Sequence, residues 1–139
     1  METFTLPVGV MMSNSYELYS PSSGKSVLIQ PIKFKRLDHR CCAHKGKIYV
    51  CGGKDEYDSS CCERLETSEG KWRFIANMNV QRKALAVVSC GEYLWAFGGS
   101  NHEDEALNSS EIYDENKDMW TMSNPSSEEV VILFSCSFS

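Results

Sequence analysis

The chain has 139 residues, 42% hydrophobic and 24% charged, with nineteen Asp and Glu against fourteen Lys and Arg for a formal net charge of −5. This is one domain's length and an ordinary globular composition, which excludes the collagen-like and intrinsically disordered classes. The acidic balance argues against sequence-independent nucleic-acid binding and against docking on an anionic membrane, and no apolar run nears the roughly 20 residues of a spanning helix.

The first residues, Met1 to Met12, contain acidic Glu2 and the helix-breaking Pro7, so no secretory leader is expected and a cytoplasmic location is, with nucleus or cytoskeleton as alternatives. Glu17-Leu18-Tyr19 reads as a strand, with Ile32 to Leu37 as its following partner. Lys47 to Cys51 is an apolar strand ending at Gly52-Gly53. The polar loop Lys54 to Ser60, a strand Cys62 to Leu65 and a strand Trp72 to Ile75 follow. Ala84 to Val88 is apolar throughout and reads as a strand buried on both faces. Gly91-Glu92 supplies a tight turn, and Tyr93 to Phe97 is a second strand ending at Gly98-Gly99. A loop from Ser100 to Asn108, a strand Ser110 to Tyr113, a turn Asp114 to Asp118 and a strand Met119 to Met122 complete the series. Val130 to Phe134 has the apolar character of one more first strand.

These elements form an internal repeat. Gly52 and Gly98 lie 46 residues apart, Glu63 and Glu111 48, and Trp72 and Trp120 48, with Arg40 and Arg82 opening the two copies. Landmarks in one order at nearly one period mark a repeat architecture of successive four-stranded meanders. A glycine pair after a strand permits a sharp turn beside packed neighbours, where a Cβ would clash or force an unfavourable φ. The Trp offers a flat surface for packing one unit on the next.

Seven cysteines are an odd number for a disulfide framework, and reduced thiols are expected. Cys41-Cys42 and Cys61-Cys62 are adjacent, so in strands their thiols point to opposite faces, unlike the Cys-x₂₋₄-Cys spacing of a zinc site. They are expected to be buried small hydrophobes, with no metal and no cofactor. His39, His44 and His102 are the only histidines. None stands in a pattern that activates a nucleophile, so no catalytic residue is assigned and the chain is not expected to be an enzyme.

The pattern Arg82…Gly98-Gly99…Glu111-Ile112-Tyr113-Asp114…Trp120 resembles the Kelch repeat, and Arg40…Gly52-Gly53…Glu63…Trp72 is similar, departing where Leu65 and Glu66 stand in place of Tyr113 and Asp114. The resemblance implies an all-β fold: an incomplete Kelch-type β-propeller with two full four-stranded blades and partial blades at each end. The corresponding boundaries are a degenerate partial blade at 1–37, repeats at 38–79 and 80–125, and a partial first strand or aberrant tail at 126–139. It further implies a protein-protein interaction module. In the Kelch-like class such a propeller is the substrate-recognition module, follows BTB and BACK segments not seen here, and presents substrates to a cullin-RING ubiquitin ligase; other Kelch proteins bind actin. In such propellers partners meet the loops between second and third strands. Here those loops carry Asp55, Glu56, Tyr57 and Asp58, and Asn101, His102, Glu103, Asp104 and Glu105, an acidic set facing Lys54 alone. They are expected to take a protein partner with a basic segment.

Overall fold

The computed structural model describes residues 16–20, 22–54 and 59–123. The described residues form ten strands and no helix: β1 (Tyr16–Ser20), β2 (Lys25–Ile29), β3 (Arg40–His44), β4 (Lys47–Cys51), β5 (Cys62–Glu66), β6 (Lys71–Ile75), β7 (Ala86–Cys90), β8 (Tyr93–Phe97), β9 (Ser110–Asp114) and β10 (Met119–Ser123). All pairings are antiparallel, in two four-stranded meanders, β3-β4-β5-β6 and β7-β8-β9-β10, and one pair, β1-β2. The architecture is therefore an incomplete propeller: two full blades, preceded by the last two strands of another.

Local chemistry fixes each meander. Two-residue loops join first and second strands. Lys45 and Gly46 both adopt positive φ (48° and 74°), the primed turn whose twist suits a hairpin. Gly91 opens the matching turn in the second blade. Along β4 the side chains alternate between two cores. Tyr49 and Cys51 join Leu94, Ala96, Tyr113 and Trp120 between the full blades. Ile48 and Val50 join Ile29, Ile32, Leu65 and Trp72 on the side of the strand pair. A blade stacked on both faces buries both sets, which is why β4 is apolar from Ile48 to Cys51. The first strands β3 and β7 run side by side, so they are the inner strands of the blades. His44 Nδ1 and Ser89 Oγ lie 2.6 Å apart across that seam, and Arg40 Nε donates to Leu85 O at 3.2 Å.

Several sequence expectations need correction. The partner of β1 is Lys25–Ile29, not Ile32 to Leu37. Residues 32–37 instead form the connection between blades, where Ile32 fills the same place relative to its core as Met78 does one repeat later. Strand β7 begins at Ala86, because Ala84 adopts a left-handed φ of 53° and its N–H bonds Asp38 O at 2.8 Å. Val87 of β7 is buried while Ala86 and Val88 are half-buried, so this strand is not covered on both faces. Cys41, Cys42, Cys51, Cys61 and Cys62 carry free thiols, whereas Cys90 is disulfide-bonded, so reduced thiols hold for the first five only. Cys41 and Cys42 do pack on opposite cores. The tail Val130 to Phe134 lies outside the described residues.

Candidate functional site: the loop rim and the ties beneath it

Each full blade hangs on one buried Arg–Glu pair. Arg82 Nε donates to Glu111 Oε2 at 3.1 Å, with both side chains fully buried. Its Nη1 reaches Gly98 O at 3.0 Å and Ser109 O at 2.9 Å, and its Nη2 reaches Ser109 Oγ at 2.8 Å. Glu111 also accepts the N–H groups of Asn79 (2.5 Å) and Val80 (3.4 Å). The first blade repeats the device with Arg36, not Arg40. Arg36 Nη2 donates to Glu63 Oε2 at 2.8 Å, and its Nη1 reaches Gly52 O at 3.1 Å and Cys61 O. Glu63 accepts the Lys33 N–H at 2.8 Å. One arginine thus closes the base of each loop between second and third strands and ties it to the inter-blade connection. Buried ionic groups paired in this way are tolerated where a lone one is not, although Arg36 Nε, unlike Arg82 Nε, has no partner among the described residues.

Sequence reasoning missed Arg36. Its signal is the spacing to the glycine turn: Arg36 precedes Gly52 by the same interval, 16 residues, as Arg82 precedes Gly98. Arg40 instead sits on inner strand β3.

The glycine turn confirms part of the expected reason. A Cβ on Gly52 would lie 2.3 Å from Arg82 O, and its φ is +64°. Gly98 has a similar φ of +66° but open space, its nearest neighbour being Leu107 O at 3.8 Å, so there the backbone conformation alone requires glycine. Gly53 N–H donates to Arg82 O at 2.8 Å, joining the blades; Gly99 O accepts the Leu107 N–H at 2.8 Å, closing the loop that follows. The tryptophans also join blades: Trp120 Nε1 donates to Ala76 O at 2.9 Å and Trp72 Nε1 to Gln30 O at 2.8 Å. Tyr113 OH donates to Asp118 Oδ1 at 2.7 Å, and the same oxygen accepts the Ala76 N–H at 2.9 Å. In the first blade Leu65 and Gly70 replace this pair, and Gly70 O accepts the Gln30 N–H at 3.4 Å.

The loops between second and third strands share one rim with the inter-blade connections. Leu37 bridges Lys54, Lys83 bridges Ser100, and Arg82 N–H bonds Ser59 O at 3.1 Å. Asp55, Glu56, Tyr57 and Asp58 lie outside the described residues. The second loop is ordered by Asn101. Its Oδ1 accepts the N–H groups of Glu103 and Glu105, both at 3.0 Å, and its Nδ2 donates to Glu105 Oε2 at 2.9 Å. Asn101 is half-buried and shapes the loop, while His102, Glu103, Asp104 and Glu105 are exposed. His102 Nε2 lies 3.7 Å from Glu103 Oε1. Asp104 is bound by Lys83, a second basic residue on this rim, and that hydrogen bond lowers its carboxyl pKa. The described rim also carries Lys54, whose charge acts on Asp104 as well. It is therefore mixed in charge, with the acidic residues concentrated in the projecting loop 102–105.

The Kelch motif matches residues 35–79 and 81–126. The chain belongs to the Kelch-repeat family. As a Kelch-repeat chain it is a protein-protein interaction module. It is 35% identical to human Kelch-like protein 33 over 78 residues, 53% of this chain and 14% of that one. It is 30% identical to the Kelch repeat and BTB domain-containing protein 1 of horsepox virus over 99 residues, 68% of this chain and 17% of that one. Beta-scruin of Limulus polyphemus is 32% identical over 84 residues, 59% of this chain and 9% of that one. The chain thus spans a small part of the length of these Kelch relatives. A solved structure of YjhT superposes with a TM-score of 0.68 at 16% identity, covering 89% of this chain and 48% of that one, which supports the propeller fold.

Proposed function

We propose that this Kelch chain is the substrate-recognition part of a cullin-RING ubiquitin ligase adaptor, acting in the cytoplasm by binding and not by catalysis. Its partner docks on the rim carrying Glu103, Asp104 and Glu105. One observation carries the reading: an exposed triplet of carboxylates stands on a loop that Asn101 already holds in shape. A loop ordered before binding loses little conformational entropy on association, and its charge steers a basic segment toward it. The Kelch-and-BTB names of the viral relatives support the adaptor role.

The test uses a panel of Lys/Arg-rich peptides and fluorescence anisotropy at low and high salt. The expected result is saturable, salt-sensitive binding that weakens about tenfold or more when Glu103, Asp104 and Glu105 are all changed to Lys. Equal binding by the variant overturns the rim as the docking site. Co-sedimentation with actin filaments in place of peptide binding would assign the chain to the actin-binding Kelch proteins instead.

A further inference from the structure

Cys51 on β4 and Cys62 on β5 are direct cross-strand partners. The Gly52 N–H donates to Cys61 O at 3.1 Å, one residue beyond the pair on each strand. That bond places Cys51 and Cys62 at a non-hydrogen-bonded position of the ladder, where opposed Cα atoms come to about 4.5 Å and side chains are closest. Residues directly opposite share a face, and both thiols lie in the core between the full blades. The spacing falls within the range that a disulfide spans without backbone movement. Both thiols are free and fully buried. Each thiol has the other as a hydrogen-bond neighbour, and that contact together with burial holds the Cys51 pKa well above its ordinary value.

The second blade has the same ladder geometry without the chemistry. Phe97 pairs with Ser110, and Gly98 N–H donates to Ser109 O at 3.1 Å. The dithiol is thus a feature of this one blade and not a requirement of the repeat.

We propose that Cys51 and Cys62 form a reversible cross-strand disulfide that staples the base of the loop 52–61. The oxidant is a small-molecule disulfide such as oxidised glutathione. A thiolate of the pair, exposed when the strand ends open, attacks the oxidant's sulfur and releases one small thiol. The second thiolate then attacks the mixed disulfide, forming the protein S–S bond and releasing the second small thiol. Two protein thiols are oxidised, one small disulfide is reduced to two thiols, and the two thiol protons are transferred to the released thiolates. Burial of both thiols and the raised Cys51 pKa make the reaction slow in the closed blade, and a raised temperature or mild denaturant speeds it.

The test incubates the full chain with oxidised glutathione, blocks remaining thiols by alkylation, and maps tryptic peptides without reduction. The expected result is a loss of about 2 Da and a linked species joining residues 48–54 to residues 55–64, reversed by dithiothreitol. Because 55–64 holds both Cys61 and Cys62, the map is repeated on Cys61→Ser, which should retain the link. The oxidised chain should also show a higher urea midpoint than the reduced one. A link that vanishes in Cys61→Ser, a persistent mixed disulfide with no internal link, or no mass change under conditions that open the strands would each overturn the proposal.

Discussion

Arg82 and Glu111 are joined at 3.1 Å with no solvent exposure on either side chain, and the guanidinium also holds the carbonyls at both ends of the loop above it. Removing one member leaves the other charged, buried and unpaired. Arg82→Met or Glu111→Leu alone should cost about 3–5 kcal/mol, enough to unfold much of a small domain. The double variant should recover a substantial part of that loss. Urea unfolding of the three variants measures both effects, and additive losses would deny the coupling.

Trp120 and Trp72 each present an indole N–H to a carbonyl of the preceding blade. Trp120→Phe keeps an aromatic body and loses that donor, leaving Ala76 O with one partner fewer. A loss of about 1–2 kcal/mol is expected, and Trp120→Ala should cost about 3–5 kcal/mol. Thermal unfolding followed by circular dichroism separates the two.

His44 is buried at the inner seam, and burial lowers its pKa. Glu115 and Glu92 act against that shift, and Lys45 acts with it. His39 is lowered too, by burial and then by Arg36. The unfolded chain therefore binds more protons than the folded one below the ordinary histidine value near 6.5. Stability is fully present above that value and declines as pH falls through it toward the lower folded values. Urea midpoints between about pH 7.5 and 5.5 should fall, and His44→Gln should flatten the slope.

Asp104 titrates low because Lys83 bonds it. Its contribution is present above the unfolded carboxylate value near 3.9 and is lost as pH drops through the depressed folded value. Lys83→Met should raise the Asp104 pKa toward the unfolded value, as read from carboxyl carbon shifts by NMR. It should also leave the rim more negative and strengthen capture of basic peptides.

How much of this was legible in the chain depends on the range of the interaction. The glycine turns, Glu63 and Glu111, and the two tryptophans recur at a nearly constant period, because each answers a local demand that every blade repeats. Arg36 carried the same kind of signal through its distance to Gly52. It was obscured by Arg40, which lies nearer the apolar strand and looks like its opening residue. The strand Lys25–Ile29 was missed because its blade lacks the Trp landmark. Val27 stands in that register opposite Leu18, as Trp72 stands opposite Leu65 and Trp120 opposite Tyr113.

The amino-acid sequence by itself determined the all-β class, the four-stranded unit and its period, since strand alternation and turn chemistry depend on near neighbours. Only the tertiary structure decided that Lys83 neutralises Asp104, that His44 meets Ser89, and that Cys51 faces Cys62. Those relationships join residues brought together by register and by blade stacking. Neither is written in the local pattern, because they depend on how strands far apart in the chain align.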